Sequence, residues 1–188
     1  MPNHVTHKVT FEASKADEIF VAVCPDGKFD FEILVPTPLH VYQGGLGREE
    51  DADFPINWHT WNNLNWGTKW NCYSQSCGIE NEKAFIKFDT AWSIPYPILA
   101  AFANKFNIPF EHRYYDEGHN YWGIETWGKD PHDSPEAPVH RVTKRKDNPK
   151  DDRALCIELK GYDPEANDDD AAEQGRAPDA AIASANPK

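Results

Sequence analysis

Val5, His7, Val9 and Phe11 fall on one side of residues 4–11, and Thr6, Lys8 and Thr10 on the other. This is the period of two of a half-buried strand. Ala16, Ile19, Phe20 and Val23 then recur at helical spacing, with Ser14 placed as an N-cap and Asp17 three residues on, until Pro25 and Gly27 end the run. Phe29, Phe31 and Ile33 alternate with Asp30 and Glu32, which predicts a second strand stopped by Pro36 and Pro38. Residues 36–83 form a long interruption rich in Gly, Asn and Trp, with a helix predicted near residues 57–65. Alternation resumes over residues 84–90, where Phe85 and Lys87 oppose Ile86 and Phe88. Over residues 97–106, Ile98, Leu99, Phe102 and Phe106 return to spacings of three and four. After Pro109, residues 110–115 and 121–127 read as a hairpin closed by residues 117–120, with Gly118 supplying a positive φ. Residues 129–153 read as a long loop or arm with a basic knot at Arg141, Lys144, Arg145 and Lys146, and residues 155–159 as an edge strand.

The order β-α-β, insertion, β-α-β and extra hairpin strand predicts an α+β protein of the ferredoxin-like, split βαβ plan: an antiparallel sheet with helices on one face. The Trp-rich insertion is expected between the two βαβ halves, covering part of the other face. The expected organisation is a domain over residues 1–128 with its insertion at 36–83, an arm over 129–162, and a tail over 163–188. That tail carries seven acids against Arg176 and Lys188, a net of -5, and few large apolar side chains. It is expected to be disordered.

At 188 residues the chain fits one ordinary domain with extensions. Its 39% apolar content is low, but the 13% aromatic residues can bury ~150–250 Å² each. A formal net charge of -12 argues against a main activity of gripping nucleic-acid phosphates or anionic lipid, so no direct DNA binding and no membrane contact are expected. The stretch around residues 94–106 is broken by Pro95, Pro97, Asn104 and Lys105 and is too short to span a bilayer. The opening residues lack a cationic, apolar leader, so the expected location is the cytosol of the cell that makes the protein, with reduced thiols. Cys24, Cys72, Cys77 and Cys156 include only one close pair, a poor zinc pattern, and neither a metal nor a cofactor is expected.

All seven Trp residues, at 58, 61, 66, 70, 92, 122 and 127, lie in one stretch of the chain. They either cap the sheet and close the core or form a partly open aromatic wall with charge from Lys69 beside it. In the second reading the binding candidates are Trp66, Thr68, Lys69, Trp70, Trp92, Tyr115 and Trp122. Asp116, Glu117 and His119 stand at the predicted hairpin tip, where an imidazole beside a carboxylate can move a proton or where polar residues serve the turn alone. Glu117 and His119 are the catalytic candidates. His59 with Cys72 and Cys77 would form a metal site only if the insertion folded back on that tip. No P-loop, nucleophile elbow, zincin or dinucleotide motif is present, and the Gly44-Gly45-Leu46-Gly47 run lacks the strand-to-helix setting of a phosphate cradle.

The segments MPNHVTHKV at 1–9, NWGTKWN at 65–71, FDTAWSIP at 88–95 and YYDEGHNYWG at 114–123, in that order, resemble the phage and plasmid proteins that carry a YubB-type ferredoxin-like domain. The likeness runs through residues 1–128. The family phrase after the third strand has two prolines following Trp-Ser, and here Ile94 takes the first place. The resemblance implies a mobile-element origin, no iron-sulfur cluster and no assigned reaction. The expected function is then a non-enzymatic protein that blocks a host defence or nucleic-acid-handling factor by protein contact. A nucleotide-binding protein using the Trp-rich wall is the alternative, and a small hydrolase using Glu117 and His119 the third. Open sheet edges leave pairing with a second copy of the chain open.

Overall fold

The computed structural model describes residues 3–130, 132–145 and 149–165. Strand β1 (His4–Glu12) leads through a 3-10 turn into helix α1 (Ala16–Val23). Three short helices follow, α2 (Phe31–Leu34), α3 (Arg48–Asp53) and α4 (Trp58–Asn65). Then come β2 (Tyr73–Glu80), β3 (Lys83–Ala91), helix α5 (Tyr96–Phe106), β4 (Phe110–Asp116), β5 (Trp122–Gly128), β6 (His140–Arg145) and helix α6 (Pro149–Lys160). The six strands form one sheet in the order β2-β3-β1-β4-β5-β6, and every neighbouring pair is antiparallel. Strands β1 to β4 with α1 and α5 make the split βαβ unit, so the ferredoxin-like α+β architecture expected from the sequence is the one observed.

The period of two in β1 does the sorting. Val9 and Phe11, with Ile86, Phe88 and Phe110 from neighbouring strands, meet Ile19 and Val23 of α1 and Ile98, Leu99 and Phe102 of α5 in one core. Ser14 lies in the 3-10 turn; Lys15 stands at the N-cap of α1, where its side chain makes no capping bond.

The second strand is the main correction. Residues 29–33 do not pair in the sheet: the Asp30 carboxylate accepts from the Glu32 amide and caps the single turn α2. From that turn Phe29 and Phe31 both reach the core, which imitates the alternation of a strand. The true second strand of the unit is β2, inside the expected insertion. Its exposed, polar sequence follows from its place at the sheet edge, and a register shift at Tyr73/Ser76 accompanies a φ of +51° at Ser74. The Trp-rich segment therefore lies between α1 and β2, within the first half of the unit rather than between the halves.

The far face of the sheet is covered differently from expectation. Leu155, Cys156 and Leu159 lie on α6, not on an edge strand, and pack against Tyr115, Trp122 and Ile124. Arg113 and Lys8 both reach Glu158 of that helix. Their one-and-four spacing is helical, but five residues are too few to reveal the period. The expected arm contains the edge strand β6. Of the tail, Asp163 and Glu165 pair with Arg153; residues 166–188, and the disorder expected there, lie outside the described ones.

Candidate functional site

Trp92 follows β3 directly and takes a φ of +62°. A bulky side chain in this left-handed region is strained and persists only where its surroundings over-determine it. The surroundings here do so. The Trp92 amide donates to the Asn3 carbonyl at 2.9 Å, and the Trp92 carbonyl accepts from the Tyr121 hydroxyl at 2.5 Å. On either side, the Thr68 hydroxyl donates to the Ala91 carbonyl at 2.9 Å, Ser93 Oγ to the Gly67 carbonyl at 2.6 Å, and Thr90 Oγ1 to the Ser93 carbonyl at 2.7 Å. Gly67 belongs to the same clamp: its φ is +76°, and a Cβ there would stand 2.8 Å from Pro97 Cδ.

The strained turn presents a ring to solvent. Trp92 is 47% exposed. Its centroid lies 6.0 Å from that of half-buried Trp70 at an interplanar angle of 46°. Lys69 Nζ sits 5.1 Å from the centroid of each ring, a double cation–π contact that fixes both rings. Thr68, Lys69, Trp70 and Trp92 thus form one aromatic and cationic platform.

The other binding candidates lie elsewhere. Trp66 is buried in the core against Phe31 and Trp61, and its Nε1 donates to the Val35 carbonyl. Tyr115 and Trp122 stack under α6 on the opposite face. The Tyr115 hydroxyl is shared between His119 Nδ1 at 2.6 Å and Asp152 at 2.8 Å, and burial first, then the Asp152 carboxylate, raises its pKa. At the hairpin tip His119, not Gly118, takes the positive φ, at +56°. Glu117 faces His4 Nε2 at 4.0 Å; among the described residues Glu117 and His119 share no hydrogen bond. Cys72 Sγ donates to the Phe29 carbonyl at 3.1 Å, and burial pushes its thiol up to about 12. Among the described residues no group of three or more His, Cys, Asp or Glu side chains is placed to hold a metal ion, and no helix is long and apolar enough to cross a membrane.

Sequence reasoning missed what stands beneath the platform. His7, His112, Thr90 and Glu125 are all fully buried on the α5 side of the sheet. His7 Nε2 meets Thr90 Oγ1 at 2.8 Å, and His7 Nδ1 meets His112 Nε2 at 3.0 Å. His112 Nδ1 lies 3.4 Å from Glu125, which also accepts from the Tyr96 hydroxyl at 2.6 Å and has Arg141 at 3.6 Å. The chain ends on Thr90, whose hydroxyl ties the Trp92 turn. The available signal was His7, the one polar residue on the apolar side of the first strand.

Residues 57–131, from just before α4 to just beyond β5, match the family described as a ferredoxin-like domain in Api92-like protein. The match agrees with the observed topology, and its description names a fold and no activity. No curated protein and no solved structure matches the chain.

Proposed function

We propose that this is a non-enzymatic interaction protein that inserts Trp92, steadied by Trp70 and Lys69, into a socket on another protein. The observation that carries this reading is the solvent-facing Trp92 ring held at φ +62° by a ring of hydrogen bonds. A rigid, pre-ordered indole loses little entropy on binding, and buried Trp is among the commonest interface anchors. The net charge of -12 steers the protein toward basic partners such as DNA-facing surfaces. The resemblance to phage and plasmid proteins makes a host defence or nucleic-acid-handling factor, met in the host cytosol, the partner class. Two features set the other readings behind this one. The 46° tilt and 6.0 Å spacing of the indoles leave no parallel gap for a nucleobase between them. His119 is hydrogen-bonded to Tyr115, away from Glu117, which disfavours a hydrolase.

The test compares tagged wild type with Trp92→Ala at low and moderate salt against host lysate, followed by calorimetric titration of any recovered protein. The expected result is a partner that binds the variant about thirty-fold more weakly, the roughly 2 kcal/mol of a hot spot, while circular dichroism of the two proteins coincides. Equal recovery by both proteins, recovery of nothing by either, or a nucleotide that quenches wild-type fluorescence in place of a protein overturns the reading.

A further inference from the structure

The far face of the sheet holds a cleft of about 530 Å³, in the size range of small-molecule sites. Its walls come from the start of β1, from β2 and β3, from the hairpin tip and from the last turn of α6. It lies on the side of the sheet away from α1 and α5 and contains none of the platform residues.

Its walls carry charges of both signs. Lys8, Lys15 and Lys83 each have a carboxylate partner. Lys87 and Lys160, which line the cleft, make no ion pair among the described residues. Lys87 stands directly opposite Lys8 across the β1–β3 ladder, and Glu80 and Glu158 hold the charge of Lys8, which leaves Lys87 to the cleft. Lys160 Nζ donates to the His4 carbonyl at 2.7 Å, and the Asp89 and Glu117 carboxylates are the leading charges acting on it. Two carboxylates share the same walls. Asp89 accepts from Thr6 Oγ1 at 2.6 Å, and Glu117 stands at the rim. Tyr73, hydrogen-bonded to His4 Nδ1 at 2.5 Å, completes the lining with an aromatic edge. Its hydroxyl donates to the Thr90 carbonyl at 3.1 Å, and burial, then the charges of Asp89 and Glu117, push it up to about 12.

A simple anion would meet Asp89 and Glu117, and a simple cation would meet Lys87 and Lys160. From this pairing we infer that the cleft binds a small zwitterion of the amino-acid or dipeptide class. Its carboxylate lies toward Lys87, and its ammonium toward Asp89 and Glu117. No covalent step is involved.

The test is thermal unfolding and calorimetry of the full chain with glycine, glutamate, lysine, phenylalanine and alanyl-alanine, each beside its N-acetyl and methyl-ester forms. At least one parent compound is expected to raise the melting temperature and release or absorb heat, with both blocked forms at least tenfold weaker. Lys87→Met is expected to weaken the parent compound at least tenfold and the methyl ester little; Asp89→Asn is expected to weaken the parent compound at least tenfold and the N-acetyl form little. Circular dichroism of each variant confirms folding, and Ser74→Ala serves as a second cleft variant that keeps the charges. If no parent compound shifts the melting temperature or gives heat, or if blocked and parent forms bind alike, the inference is wrong. An alanyl-alanine response without any single amino-acid response narrows the class to peptides. Because Trp92→Ala leaves the cleft untouched, loss of partner binding and loss of zwitterion binding are separable results.

Discussion

Replacing Glu125 with Ala is expected to destabilise the protein by about 3–5 kcal/mol, read as a drop in the urea midpoint at pH 7 with circular dichroism as the probe. The size follows from counting protons along the buried chain. Thr90 has a single hydroxyl hydrogen, and the Ser93 carbonyl takes it. His7 Nε2 must therefore carry its own hydrogen toward Thr90, which leaves Nδ1 to accept from His112 Nε2. For His112 Nδ1 also to donate to Glu125, His112 must be the imidazolium and Glu125 the carboxylate. Removing Glu125 then leaves a charge in the core without its partner, as well as an unanswered Tyr96 hydroxyl. Arg141, close enough to sense the carboxylate at 3.6 Å and half exposed, turns to water and compensates little. An unchanged midpoint would show that the chain is not ionised.

The same arrangement gives stability a definite pH dependence. Burial, and next the charge of His112 and the more distant one of Lys160, hold His7 well below its ordinary value of 6.5. Burial alone would raise Glu125, but hydrogen bonds from His112 and Tyr96 and the charges of His112 and Arg141 outweigh it and hold the carboxyl below 4.5. Below pH 6.5 the unfolded chain takes up a proton at residue 7 that the folded chain refuses, so stability falls on acidification by up to ~1.4 kcal/mol per pH unit. Glu125 adds its loss below its ordinary value, as pH falls through its folded pKa. His7→Gln is expected to flatten the upper window and leave the acidic limb; the same slope in both proteins would refute the assignment.

Phe31→Ala is expected to cost about 3–5 kcal/mol in the same measurement, the range for removing a fully buried aromatic ring. The ring is wholly enclosed, 5.9 Å from Trp66 and 5.8 Å from Phe88 between centroids, with Phe29 at 5.6 Å. Phe54→Ala, at a ring that is 42% exposed in the same segment, should cost far less. Comparable losses at the two positions would place the segment outside the core.

The parts of the fold that were legible in the sequence are those whose burial follows the period of their backbone. β1 alternates because one face meets α1 and α5, and α5 shows its stripe because four of its residues enter that core. Residues 29–33 and 73–80 exchanged appearances. A capped turn that drives Phe29 and Phe31 inward looks extended, while an edge strand with water on much of both faces has no apolar face to display. Of the platform, Lys69, Trp70 and Thr68 were visible as one block. That Trp92 joins them while Tyr115 and Trp122 do not depends on which face of the sheet each residue occupies. That assignment requires strand pairing. The cleft is invisible for a further reason: its walls come from residues up to 156 positions apart, as His4 and Lys160 are, and residues 155–159 of α6 read as a strand.

The left-handed backbone at Trp92 also bears on how such a chain can drift. Strain of this kind costs about 1–3 kcal/mol, and glycine at that spot would relieve it. Heat-tolerance selection alone would erode the indole first, producing hardier molecules that had lost their grip on a partner. A tryptophan at that spot, against that thermodynamic gradient, is what continued use of the protruding ring would leave behind.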